Sequence, residues 1–233
     1  MGIKKTTDAV YVYEAPVRLW HWINAASLLV LGVTGYLIGS PLHSASGEAS
    51  DHFIMGYIRY IHFVAAYFFA IGFIGRFYWS FVGNKVSREL FAPAVFTKNY
   101  WQGVLHQLRF YAFLEKEEQV YVGHNPVASI AMFLMFTLGS ILMILTGGAL
   151  YAEGQGMGSV WYSVFGWVIP LFGQSQDVHT WHHVGLWLFI VFIMVHIYAA
   201  VRDDMLSETT IIGSMINGWK LKKGNKDTDK VEK

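Results

Sequence analysis

The sequence predicts an all-α integral membrane protein: a four-helix transmembrane bundle, N-in and C-in, with a cytoplasmic amphipathic helix. Three observations carry this. Charged residues make up 14% of the 233 positions and hydrophobic ones 54%, whereas a soluble domain carries roughly 25% charged residues; mean hydropathy is +0.37. Four apolar stretches reach the length of about 20 residues that a helix needs to cross a bilayer. Lysine and arginine are spread very unevenly over the segments between them.

The first span covers approximately 19–39, after Lys4, Lys5 and Arg18. It is too long for a cleavable signal, is flanked by Trp20 and Trp22, and has no small-residue cleavage site after it. Segment 40–54 lacks lysine and arginine, and the second span covers 55–82. The next loop carries Lys85, Arg88, Lys98, Arg109 and Lys116. Within it, Trp101, Leu105, Leu108 and Ala112 fall at helical spacing, which predicts an amphipathic helix lying on the membrane surface. The third span covers 127–151. Segment 152–178 again lacks lysine and arginine and holds a short apolar run, Val160 to Phe172, interrupted by Gly166 and Pro170. That run suits an interfacial or re-entrant segment better than a fifth crossing. The fourth span covers 181–201.

No span alternates with period 2, so these are helices and not barrel strands. The positive-inside rule puts both termini in the cytoplasm. Residues 1–206 read as one bundle domain, and 207–233 as a basic cytoplasmic tail near anionic lipid, with lysines from Lys220 to Lys233.

The chain has no cysteine and ten histidines. Disulfides, c-type haem attachment, cysteine-held iron–sulfur clusters and thiolate nucleophiles are therefore excluded. A net charge of +1 is far from a nucleic-acid binder's. Any metal or cofactor is held by nitrogen.

Histidine inside a membrane span is costly and by default functional. His21 lies one turn into span one, near the cytoplasmic face. His62 lies two turns into span two, near the outer face. His182 opens span four on the outer side, and His196 follows it 14 positions later (196 − 182). Fourteen residues make close to four turns, about 21 Å, so His182 and His196 share one helix face at opposite leaflets. Each has a partner at its own depth, His62 for His182 and His21 for His196. Two stacked bis-histidine pairs are what two haems b require, and imidazole at both axial positions suits electron transfer. Small residues one turn on (Ala25, Ala65, Ala66, Gly185, Ala199, Ala200) leave room for a flat group.

Simple buried histidines bonded across helices are the competing reading. His183 stands beside His182 and stays open as an alternative ligand. His179 suits the outer interface, and His43, His52 and His106 suit solvated positions. Arg18, Arg59 and Arg202 lie where haem propionates would fall, and equally where snorkelling side chains would.

Several segments resemble the b-type cytochrome subunit of membrane-bound [NiFe] hydrogenases. They are Arg18-Leu-Trp-His21-Trp-Ile with Thr34-Gly35, the preceding Tyr13-Glu-Ala-Pro-Val17, and Gly56-Tyr-Ile-Arg-Tyr-Ile-His62-Phe. Trp79-Ser-Phe-Val-Gly-Asn84 and Asp177-Val-His-Thr-Trp-His182, with His196 and Arg202-Asp-Asp204, complete the match. The plan is more distantly similar to the cytochrome subunit of respiratory formate dehydrogenases.

The resemblance implies two haems b held by His21, His62, His182 and His196. It implies docking of the hydrogenase small subunit outside the bacterial cytoplasmic (inner) membrane, on the periplasmic side, with the large subunit carried through it. Electrons would pass from the small subunit's terminal iron–sulfur cluster to a membrane quinone near the cytoplasmic face. The family often has arginine after the span-four ligand where this chain has His183. Gly123-His124-Asn125-Pro126 is the quinone candidate, and Asn125 equally suits a helix cap with Pro126 in the first turn.

A cytochrome for formate or thiosulfate metabolism, and a non-redox membrane anchor, are the alternatives. A haem-free transporter or zinc protein is disfavoured, because HExxH is absent and carboxylates fall in tails and loops.

Overall fold

The computed structural model describes residues 9–42, 52–115, 121, 123–207 and 210–221. Lys4, Lys5, His43, Lys116 and the lysines beyond Leu221 lie outside the described residues. The order is β1 (Ala9–Tyr11), α1 (Ala15–Gly39), α2 (Ile54–Val82), α3 (Lys85–Arg88), α4 (Lys98–Tyr111) and α5 (Pro126–Ala131). A π-helical turn (Met132–Thr137) leads into α6 (Leu138–Gln155), followed by α7 (Val160–Phe165), α8 (Val168–Phe172), α9 (Ser175–Ser207), α10 (Ile211–Asn217) and β2 (Trp219–Leu221).

Four helices are long and apolar enough to cross a membrane: Ala15–Gly39, Ile54–Val82, Pro126–Gln155 and Ser175–Met205. Many of their apolar side chains point outward, among them Leu29, Ile71, Phe81 and Met194, as lipid-facing positions should. Asn125 starts the third of them. Its Oδ1 accepts the Ala128 amide at 2.8 Å, and Pro126 stands in the first turn, where a missing N–H costs nothing. The run from Val160 to Phe172 breaks into two short helices separated at Gly166 and Trp167.

Two compact units emerge from the contacts, one of residues 20–78 and 134–193, the other of residues 1–19, 79–133 and 194–233. In the first, Phe136 on the π turn centres an aromatic cluster, with Trp20, Phe189 and Phe192 at ring separations of 5.7, 6.1 and 5.8 Å. Bundles in lipid lack a hydrophobic drive between helices and rely on close packing and small residues; Gly139 accordingly lets Leu188 and Phe189 approach α6. On the same unit, α7 and α8 fold back over α6 through a buried core of Ala149, Val168 and Val178. Tyr151 meets Trp161 at 5.4 Å beside it.

The other unit is knit by polar contacts. Glu14 Oε2 accepts from Trp79 Nε1 (2.9 Å), the Asn84 amide (3.0 Å) and the Ser87 hydroxyl (3.2 Å). Asn84 also donates through Nδ2 to the Val12 carbonyl at 2.8 Å and caps α3. Strand β1 pairs antiparallel with β2, Ala9 opposite Leu221. The turn entering β2 needs Gly218, whose φ is +90° and whose missing Cβ would fall 2.5 Å from the Tyr11 ring. Residues 210–221, read from sequence as part of a solvated tail, thus hold a helix and a strand. Their anchors are contacts with residues roughly 200 positions away, which leave no local pattern. In α4 Gly103, Val104 and Gln107 are buried, while the larger apolar residues Trp101, Leu105 and Leu108 are exposed. An outward apolar stripe of this kind suits a helix lying on a membrane surface.

Candidate functional site

His62 on α2 and His182 on α9 face each other inside one unit, ring centroids 6.4 Å apart and ring planes crossed at 74°. An imidazole nitrogen binds a metal at about 2.0–2.1 Å and lies about 1.1 Å from its ring centre, so two imidazoles flanking one ion have centres roughly 6.3 Å apart. The observed separation fits one iron between them. Each ring rests against a glycine backbone. A Cβ on Gly35 would stand 3.4 Å from His62 Cε1, and one on Gly147 would stand 3.0 Å from His182 Cε1.

Each ring also meets a threonine that precedes its glycine. Thr34 Oγ1 lies 2.8 Å from His62 Nδ1, and Thr146 Oγ1 lies 2.8 Å from His182 Nδ1. Thr34 and Thr146 are themselves buried. Sequence reasoning passed over Thr146 entirely. The signal was present, because Thr-Gly occurs both in α1 and in α6, each pair on the span that precedes a histidine-bearing one.

His183 does not face His62. It is exposed, its ring packs against the backbone of Gly39, and it approaches Trp187 at 6.4 Å. His21 and His196 are both half-buried, His21 on α1 in the first unit and His196 on the segment of α9 in the other. His179 and His52 are exposed.

The arginines divide. Arg18 donates to the carbonyl of Ile216. Arg202 lies over the rings of Phe110 and Tyr111 at 5.6 and 5.2 Å and 3.4 Å from Asp203. Arg59 is exposed. Arg76, which the sequence reading omitted, is only 5% exposed, and its guanidinium stands 5.5 Å from the ring of Trp20, the neighbour of His21. A charge inside an otherwise apolar span was the clue that should have selected it. Asn24, one turn from His21, is buried with Oδ1 lacking a partner among the described residues.

A cavity of about 700 Å³ lies in the polar unit, lined among others by Glu89, Tyr100, His106, Arg109, Tyr121 and His124. Glu89 Oε2 accepts from the His124 amide at 3.1 Å and sits 3.3 Å from its Nδ1. Burial pushes the Tyr13 hydroxyl pKa well above its ordinary value, with the Glu89 charge adding to this, and Tyr13 meets His124 edge-on at 6.3 Å. Burial likewise raises Tyr121. His106, expected to be solvated, lines the cavity with a buried Nδ1 that has no partner among the described residues. Asn125 is occupied elsewhere, capping Ala128 and donating from Nδ2 to the Tyr111 hydroxyl at 3.1 Å.

Residues 12–218 match the family described as prokaryotic cytochrome b561. A Cupriavidus necator protein named a probable Ni/Fe-hydrogenase B-type cytochrome subunit is 58% identical over 216 residues, spanning 93% of this chain and 88% of its own length. An Azotobacter chroococcum protein of the same name is 55% identical over 224 residues, 96% of this chain and 93% of its own. The Escherichia coli K12 protein named a probable Ni/Fe-hydrogenase 1 B-type cytochrome subunit is 46% identical, covering 94% of both.

Proposed function

This chain belongs to the prokaryotic cytochrome b561 family, and on that premise we propose that it is the di-haem b membrane subunit of a [NiFe] hydrogenase. In this reading it anchors the hydrogenase through the small subunit, with the large subunit beyond, and passes electrons from that subunit's iron–sulfur cluster to membrane quinone. The single observation that carries it is the pairing of His62 with His182 at a separation suited to one iron. A haem b with imidazole on both sides exchanges one electron and offers no open position for oxygen.

His62 and His182 would hold the outer group, and His21 and His196 the inner one. His183, packed on Gly39, is the weaker alternative to His182. Arg76, buried beside Trp20, suits a propionate at the depth of His21 better than the exposed Arg59 does. The glycines at 35 and 147 keep the imidazoles close to their helices, and the surrounding apolar wall excludes water.

The cavity beside His124 is the proposed quinone site. Its volume lies within the usual range for a small-molecule pocket. His124 offers a hydrogen bond to a quinone carbonyl, the Glu89 carboxylate beside it accepts from the His124 amide, and Asn125 shapes the helix start without lining the cavity. The lysine and arginine bias favours a cytoplasmic position for this side, and the resemblance to hydrogenase cytochrome subunits supports a hydrogenase docked on the periplasmic side of a bacterial inner membrane.

The test is the reduced-minus-oxidised spectrum of the full chain, with haem counted per polypeptide, in wild type and in His62→Ala and His182→Ala. Two low-spin b haems are expected. Each variant should lose the same one, and the double variant no more than that one. Loss of different haems would separate the pair, and a chain without haem would leave only an anchor.

A further inference from the structure

We infer that Thr34 and Thr146 are matched positioning residues that fix the tautomer of the two outer histidines and hold down the reduction potential of the iron between them. The inference rests on the reading of His62 and His182 as ligands. It adds two residues that the spans' hydropathy and histidine spacing did not select.

The hydroxyl hydrogens are accounted for. Thr34 Oγ1 donates to the Val30 carbonyl one turn back at 2.6 Å, and Thr146 Oγ1 donates to the Leu142 carbonyl at 2.7 Å. A hydroxyl has one hydrogen. With that hydrogen committed, the 2.8 Å contacts to His62 Nδ1 and His182 Nδ1 can only be bonds in which the imidazole donates. Both rings therefore carry their proton on Nδ1 and present the Nε2 lone pair. That is the tautomer which binds a metal through Nε2, and the hydrogen bond on the other nitrogen sets it.

The same contact tunes the ligand. A hydroxyl whose own hydrogen is engaged is a better acceptor, because chained hydrogen bonds polarise one another. Drawing the Nδ1 proton outward makes the imidazole more basic, and a more basic ligand favours the ferric over the ferrous state.

The arrangement is duplicated. Thr-Gly on α1 serves the histidine of α2, and Thr-Gly on α6 serves the histidine of α9. In each pair the glycine brings the ring against the helix, and the threonine meets the nitrogen. Because both hydroxyls act on one iron, their effects run in the same direction.

The experiment uses the full chain in nanodiscs, comparing Thr34→Val, Thr146→Val and the double variant with Thr34→Ser and Thr146→Ser. Valine keeps the shape and deletes the hydroxyl, whereas serine keeps the hydroxyl. Redox titration and the ferric low-spin EPR spectrum are the readouts. At a fixed ambient potential, the reduced-to-oxidised ratio of the outer haem should rise about threefold to tenfold in each valine variant, as expected for losing one net hydrogen bond. Tenfold corresponds to about 59 mV for one electron. The double variant should exceed either single, and both serine variants should titrate like wild type.

Loss of the outer haem in the valine variants with retention in the serine variants also supports the inference, since only the hydroxyl differs in both comparisons. Unchanged potential and EPR in both valine variants would overturn it. So would serine variants that behave like valine ones. The ligand reading fails separately, if His62→Ala and His182→Ala keep the outer haem.

Discussion

The unit of residues 20–78 and 134–193 and the unit of residues 1–19, 79–133 and 194–233 use polar groups in opposite ways. In the first, Thr34 and Thr146 each touch one imidazole nitrogen in a wall of aliphatic and aromatic side chains. In the second, one carboxylate, Glu14, gathers three donors from residues 65 to 73 positions away, and Glu89 and His124 border an open cavity. Where lipid surrounds the chain, a polar contact is sparse and orients a single group. Toward water, polar contacts are dense and tie distant segments together.

Breaking the second kind should have the largest effect. Glu14→Ala strands the Trp79 and Asn84 donors, while the Ser87 hydroxyl still has Asn84 Oδ1 at 3.1 Å, and should destabilise the chain by about 2–4 kcal/mol, read as a drop in Tm in detergent, with Glu14→Gln milder. Equal Tm values for Glu14→Ala and wild type would show that the hub is ornamental to stability.

The glycines sharpen the first kind. Gly147→Ala puts a methyl 3.0 Å from His182 Cε1, tighter than the 3.4 Å at Gly35. It should cost about 1–3 kcal/mol by overpacking and perturb the outer haem spectrum. At Gly35 a helix-propensity gain of about 1 kcal/mol offsets the milder crowding. Identical spectra and Tm values for the two alanine variants would refute this asymmetry.

The smallest effect concerns the cavity. His124→Ala should slow reoxidation of prereduced chain by decylubiquinone about tenfold, close to 1.4 kcal/mol, as for a lost hydrogen bond to substrate, without altering the haem spectrum. Stopped-flow absorbance reads it, and an unchanged rate would move the quinone elsewhere.

The sequence made the spans legible because burial in lipid acts on every residue of a long run, and composition alone reports it. It made His62 and His182 legible because a polar ring in such a run stands out. Thr146 stayed hidden and Thr34 showed only as part of a family motif, without its role, since threonine satisfied by its own helix is unremarkable until the imidazole across from it is placed. Glu14, Asn84 and the β1–β2 pair stayed hidden for another reason: each contact joins residues far apart in the chain, and no local periodicity encodes it. Arg76 was readable by the same rule that selected the histidines and was passed over.

The pairing of Ala9–Tyr11 with Trp219–Leu221 also has a topological meaning. Hydrogen-bonded strands lie in one compartment, so the chain between them returns to the side from which it left. The number of crossings must therefore be even. Four long helices satisfy that parity, and a fifth passage through Val160–Phe172 would violate it. One short ribbon thus fixes the parity of the crossings without reference to charge.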